Sequence, residues 1–429
     1  MRTAQVIKGQ VVSFTDKAVV HHQKGAVVSD KEGRIQWVGE ATRLSPEYKS
    51  LPQHDHGSKF ILPGFVDPHI HFPQYRMLAA PGADLLDWLK RFTFPEESKY
   101  SDEDYAAAAA EVFLDRLLAH GTTSALVFCS VHRTCADVLF AAAENRGMAL
   151  ATGKTMMDRN AIPAVQDDVL TSARDTEALY QKWHGRGRLR HAVSPRFAIT
   201  STESQLRAAG ELLKSLKGSL LQTHLSESVA EIAFVKKLFP KAKDYTDVYE
   251  TCGLLGPASL FAHGVHLSER ECERLSESAS SVVHCPTSNT FLGSGLMSMR
   301  HLRKPSRPID LGLATDIGGG TSYSMLATMA EAYKVQMLGG YKPSATELFR
   351  IATLGNAQRL HMSTEIGSLD VGKYADIVVL DPEATAVLKS RHALSESLED
   401  VLFALMILGD DRAVSSTYVA GQQVGRVGK

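Results

Sequence analysis

Nowhere in the chain are there about 18 consecutive apolar residues, so no segment reads as a membrane-spanning helix. Cysteine is scarce: Cys129, Cys135, Cys252, Cys272 and Cys285 are scattered, odd in number and free of any CxxC pair. That pattern excludes a disulfide scaffold and leaves reduced thiols. An excess of charge of either sign is also missing. Lys plus Arg is 47 against 48 for Asp plus Glu, and the pI is about 7.0, so no overall field attracts nucleic acid or an anionic membrane. A small, nearly neutral partner is expected. Residues 1–20 are polar and alternating, without the charged start and apolar h-region of a signal peptide, which points to the cytoplasm. No low-complexity segment or linker breaks the chain.

With 44% hydrophobic and 22% charged residues, 429 residues can bury a large core, and length alone suggests two or three domains. Both ends have β texture. Near the start, Gln10-Val11-Val12-Ser13-Phe14 precedes a predicted hairpin, Ala26-Val27-Val28 with Arg34-Ile35-Gln36-Trp37-Val38. Near the end, Ile377-Val378-Val379-Leu380 and Ser416-Thr417-Tyr418-Val419 repeat it. An isolated hairpin is marginal in water, so the two ends are expected to pair. They would form one composite β-sandwich domain, residues 1–60 plus 363–429. Between them, strand-like runs alternate with helical segments, which predicts a parallel sheet. Eight runs are legible: Phe65-Val66, Ser124 to Val127, Met148 to Ala151, Arg190 to Val193, Leu220 to Thr223, Leu260 to Ala262, Ser281 to Val283, and Leu311 to Ala314. Ser101 is expected to open an Ala-rich helix that stops at Gly121, and Thr202/Gln205, Ser268/Glu271 and Ser344/Glu347 read as capping boxes. Eight βα units over roughly 300 residues make residues 61–362 an α/β (β/α)₈ TIM-like barrel.

In such barrels chemistry sits at the carboxyl ends of the strands. The run from Leu62 to His71 ends on His69-Ile70-His71, a spacing that can bring both rings to one ion. His224 closes the fifth run, His263 the sixth and Asp316 follows the eighth. A single buried histidine is commonly a hydrogen-bonded core residue. Convergence on one rim favours a catalytic site for a divalent zinc or iron ion with room for water. Glu227, three residues after His224, would stand over that water as a proton carrier, against the plainer reading of a helix-start acid. His54-Asp55-His56 lacks the apolar run and reads as a solvated loop. His284 is assigned to packing or a supporting hydrogen bond, His266 to the surface, and His21 and His22 to no motif. Residues 318–320, Gly-Gly-Gly, lack the spacing and Lys-[Ser/Thr] ending of a phosphate loop and are expected to form a mobile loop under the site.

The stretch Pro63-Gly64-Phe65-Val66-Asp67-Pro68-His69-Ile70-His71, together with His224-Leu225-Ser226-Glu227, His263-Gly264, Thr315-Asp316 and the segment from Gly367 to Asp376, resembles the amidohydrolase superfamily over nearly the whole chain. A narrower set is similar to its guanine-deaminating branch: His71-Phe72-Pro73-Gln74-Tyr75, Trp88 through Thr93-Phe94-Pro95, and Ser194-Pro195-Arg196-Phe197. The resemblance implies one zinc per chain on His69, His71, His224 and Asp316, with Glu227 as proton shuttle. It implies a purine held by Gln74, Arg196, Phe197 and Trp88, with His263 beside the reacting carbon, and a homodimer. One metal is expected because no lysine stands at the fourth strand end, where binuclear relatives carry a carbamylated lysine. The chemistry agrees: guanine is planar and edged with donors and acceptors, which suits an aromatic face, an amide and a cation. The H-x-E and P-C-x-x-C signature of the other zinc deaminase fold is missing.

Overall fold

The computed structural model describes residues 3–82 and 84–424. The outermost parts of the expected terminal unit, residues 1–2 and 425–429, lie outside the described residues. Eight parallel strands occur in chain order: Phe65–His71, Thr122–Phe128, Ala149–Gly153, Leu189–Pro195, Leu220–Leu225, Ser259–His263, Ser281–His284 and Asp310–Leu313. Each pairs with the next. Almost every residue in them is buried, as strands covered on both faces must be. Ring closure between first and last strands is made past the end of the eighth. The Asp316 N–H donates to His69 O (3.1 Å), and the His71 N–H to Ile317 O (2.8 Å). Lower down, the Asn356 side-chain amide donates to both Val66 O (2.6 Å) and Leu313 O (2.8 Å).

The two chain ends build one seven-stranded mixed sheet. Gln5–Phe14, Val19–Ser29, Ile35–Glu40 and Gln53–Pro63 come from the start, and Ile377–Leu380, Val414–Val419 and Gln422–Val424 from the end. Its register shifts at Gly9/Val11 and Lys8/Gln10, and such bulges bend a sheet. The bend lets Ile7, Val11, Val27 and Ile35 share an apolar cluster with Ile377, Val379 and Tyr418 from the opposite end. The join is the strand Gln53–Pro63, parallel to the first strand and antiparallel to Ile377–Leu380. It passes through Gly64, where a Cβ would collide with the Thr123 side chain, straight into the first barrel strand. His54 and His56 lie on this connecting strand rather than in a solvated loop. Both rings meet Tyr418 edge-on, and His56 Nε2 is 2.9 Å from its hydroxyl. A buried bidentate pair, Arg188 on Asp376 (2.6 and 3.1 Å), clamps barrel to sheet.

Helix punctuation is partly as expected. The Ala-rich helix spans Glu103–Ala119, but its cap is Asp102, which accepts from Tyr105 N, and Ser101 lies in the preceding turn. Ser268/Glu271 is a reciprocal capping box. Thr202 and Ser344 cap without reciprocity, because Gln205 turns to Asp167 and Glu347 to the Tyr341 hydroxyl. No helix among the described residues is long and apolar enough to cross a membrane.

Candidate active site

Four barrel strands, the first, fifth, sixth and eighth, deliver His69, His71, His224, His263 and Asp316 to one rim. His69 and His71, two apart on the first strand, face the same side and meet His224 from the fifth, with ring centroids 4.8–5.1 Å apart. His71 Nε2 and His224 Nε2 are 3.2 Å apart, and Asp316 Oδ1 is 3.3 Å from His69 Nε2 and 3.4 Å from His71 Nε2. His224 Nδ1 lies 2.7 Å from the Arg196 carbonyl oxygen. A carbonyl only accepts, so Nδ1 carries the proton and Nε2 presents a lone pair to the centre. The Nε2 of His69 is buried without a hydrogen-bond partner. Burial holds all three imidazoles below their usual range, His71 down to about 3, so they are neutral. Burial pushes Asp316 up, but the adjoining His69 and His71 rings outweigh it and hold the carboxyl well below the carboxylate range. Neutral imidazole nitrogens converging on an ionised carboxylate are a donor set for a divalent cation and fit the expected metal.

Two residues of this centre have left-handed backbones, His263 (φ 76°) and Asp316 (φ 51°). Non-glycine residues adopt such angles at a cost of order 1–3 kcal/mol each, so the surroundings must impose them. They are imposed by the closure bond to His69 O at Asp316 and, beside His263, by the Gly264 N–H to Leu225 O (2.9 Å). His263 Nδ1 is 2.9 Å from Asn289 Oδ1, which leaves Nε2 facing Glu227 Oε2 (3.4 Å) and Asp316 Oδ2 (3.9 Å).

Glu227 is buried one turn from the cluster. Burial, and then the charge of Asp316, push its carboxyl up to about 8. Its Oε1 accepts from the Ser294 hydroxyl (3.1 Å), and its backbone N–H donates to Glu231 (2.7 Å). Glu231 closes a capping box with Ser228 and accepts from the Tyr245 hydroxyl (2.8 Å). The helix-start reading of an acid here therefore belongs to Glu231, while Glu227 points into the site.

The same rim bounds a cavity whose lining includes His71, His224, Glu227, His263 and Asp316. Gln74, Trp88, Arg196, Phe197 and Leu89 line it as well. All four expected substrate contacts are thus brought together with the metal cluster. The Trp88 indole N–H is buried and has no hydrogen-bond partner among the described residues. The Gln74 amide and the Arg196 guanidinium both reach Glu97, a fully buried acid that the sequence pattern did not single out. Glu97 sits beside Glu96, which faces Lys99 and the Tyr105 hydroxyl. Two adjacent acids after a proline carry no signal to separate them. Asn289 and Ser294 stand in no motif, and only their contacts to His263 and Glu227 mark them.

Two expectations change, and one narrows. Residues 318–320 are buried, not a mobile loop. A Cβ on Gly318 would meet Gln74 Cβ at 2.6 Å, one on Gly319 the Ser288 hydroxyl at 2.6 Å, and one on Gly320 the Thr315 carbonyl, so these glycines permit close packing. His284 takes the packing role of the two expected for it, since among the described residues neither ring nitrogen has a hydrogen-bond partner. His266 is half-buried and its Nε2 reaches Ser294 O (2.7 Å), tethering the loop that holds Glu227. At the fourth strand end stands Arg196. The buried lysine nearest in sequence, Lys154, is held by Ser172 (3.1 Å) and the Thr155 carbonyl (3.2 Å) as well as Asp167.

The amidohydrolase family profile matches residues 60–424. Guanine deaminase of Escherichia coli (strain K12) is 45% identical over 395 residues, covering 92% of this chain and 90% of that protein. Among solved structures, E. coli guanine deaminase superposes with a TM-score of 0.95 at 41% identity, over 99% of this chain and 100% of the other. A guanine deaminase from C. acetobutylicum with bound guanine in the active site gives 0.89 at 29% identity, over 99% and 100%.

Proposed function

The chain belongs to the amidohydrolase family, and on that premise we propose that it hydrolyses guanine to xanthine and ammonia. The observation that carries this reading is one cavity lined both by His71, His224, Asp316 and Glu227 and by Gln74, Trp88, Arg196 and Phe197. In this reading residues 61–362 are the catalytic barrel, and residues 1–60 with 363–429 hold its first strand in place.

His69, His71, His224 and Asp316 would hold one zinc ion per chain. Such a donor set suits iron as well, so elemental analysis decides the metal. When bound, the ion supplies a Lewis acid that makes water a nucleophile near neutral pH. The chain supplies the rest. Phe197 gives the base an apolar face, and Arg196 donates to the guanine carbonyl oxygen. Glu227 takes a proton from water and delivers it to a ring nitrogen, with its acidity set by burial and Asp316. His263, its Nδ1 proton held by Asn289, turns its Nε2 lone pair toward Glu227 and Asp316, where with Asp316 it steadies the attacking oxygen by accepting a hydrogen bond from it. A homodimer is part of the proposal on family likeness, and sedimentation tests it.

Ultraviolet monitoring of guanine, adenine, cytosine and pterin with purified protein is the test. Conversion of guanine with release of ammonia supports the reading. Turnover of pterin in preference to guanine moves the assignment to another aminated heterocycle, and metal-loaded protein inert toward all four refutes deamination.

A further inference from the structure

Two polar side chains of the cavity lining, Gln74 and Arg196, share one anchor. Glu97, on the short helix Phe94–Glu97, is fully buried. Arg196 Nη1 donates to both of its oxygens (2.8 and 2.9 Å), and Gln74 Nε2 donates to Oε1 (2.9 Å). A carboxylate has only acceptors. The Gln74 amide therefore cannot turn its oxygen toward Glu97, and its carbonyl is committed to groups on other sides. Among the described residues the guanidinium's Nη2 and Nε have no hydrogen-bond partner, while its charge is matched by the acid behind it.

We propose that Glu97 is a positioning residue that sets substrate specificity, by fixing Gln74 as the acceptor and Arg196 as the donor of the recognition edge, and by making that edge neutral overall. The inference rests on the guanine reading. A bare guanidinium in a buried wall would favour anions. Paired with Glu97, it favours a neutral heterocycle that presents a carbonyl oxygen next to an N–H. Xanthine sheds a ring proton more readily than guanine does, so a neutral edge binds the substrate without retaining the anionic product. The same carboxylate thus serves discrimination between bases and product release.

Two variants separate these roles. Glu97→Gln keeps the shape but removes the charge and adds a donor, which frees the Gln74 amide to flip. Glu97→Asp keeps the charge, so Arg196 is not left alone in the interior, but one methylene less cannot serve both partners at their present spacing. With wild-type activity on guanine established first in the same assay, Glu97→Gln should raise KM for guanine more than it lowers kcat. It should cut kcat/KM by ~10–10²-fold, the range for one charge-assisted hydrogen bond, and lower the guanine-to-adenine ratio. Xanthine should inhibit it more tightly at pH 8, with metal content unchanged. Glu97→Asp should raise KM and lower the ratio without tighter xanthine inhibition. A purely structural acid would lower the amount of active protein while leaving KM, the base ratio and xanthine inhibition as in wild type, and that result in either variant overturns the proposal. Failure of wild type itself to turn over guanine would refute the guanine reading instead.

Discussion

Glu227→Gln isolates proton transfer from every other function of the site. The side chain makes two contacts, Oε1 with the Ser294 hydroxyl at 3.1 Å and Oε2 with His263 Nε2 at 3.4 Å. Glutamine has the same shape. Its oxygen still accepts from Ser294, and its amide can donate to the His263 Nε2 lone pair, which is left free because Nδ1 faces Asn289. The Glu227 backbone N–H stays bound to Glu231. No buried group is orphaned, and a carboxyl that burial pushes up to about 8 loses the charge that burial disfavours. Stability and metal content should therefore hold, and KM should move little. What is lost is a group that can accept and return a proton. Positioned acid–base groups contribute ~10²–10⁴ in rate, or about 2.7–5.5 kcal/mol of barrier at 1.36 kcal/mol per tenfold. The assay is steady-state guanine turnover beside elemental analysis and thermal melting. Near wild-type kcat in a metal-loaded, folded variant would refute the shuttle, and loss of metal would mean that Glu227 is a ligand.

His69→Ala and Asp316→Ala should each empty or weaken a site of about one divalent ion per chain, read by elemental analysis; active wild type without metal would contradict this. Adenine, with an amino donor where guanine has a carbonyl acceptor, should be rejected by ~10⁴-fold or more, and Arg196→Lys should not restore the selectivity of a planar fork; equal turnover of the two bases would refute the Arg196 contact. Phe197 also lines a neighbouring apolar cavity of about 300 Å³, so Phe197→Ala should raise KM and cost ~3–5 kcal/mol of stability, measured by denaturant melts. His191 is buried, and burial lowers its pKa to about 3. The unfolded chain binds a proton below about 6.5 that the folded state refuses, so stability present above that pH is lost as pH falls from 6.5 toward 3, by ~1.4 kcal/mol per unit. His191→Gln should flatten the melting-temperature profile between pH 6.5 and 5, and an unchanged slope would contradict the assignment.

The sequence by itself determined the architecture and much of the rim. Alternation of apolar runs with capped helices is a local signal, and all eight barrel strands lie where their runs were read. His69, His71, His224, His263 and Asp316 were legible because barrel chemistry gathers at strand ends, which fixes where a ligand must stand before any contact is known. What the tertiary structure alone decided concerns partners distant in the chain. Glu96 and Glu97 are the same residue in the same turn, yet one faces the surface and the other meets Gln74 and Arg196, 23 and 99 residues away in sequence. The role of residues 318–320 turned on what packs against them, and the fate of His54 and His56 on Tyr418 from the opposite end of the chain. A pattern along the chain records which way a side chain points relative to its own element. The atom that satisfies its hydrogen bond is supplied by another element, and only closure of the barrel and folding of the terminal sheet bring that atom within reach.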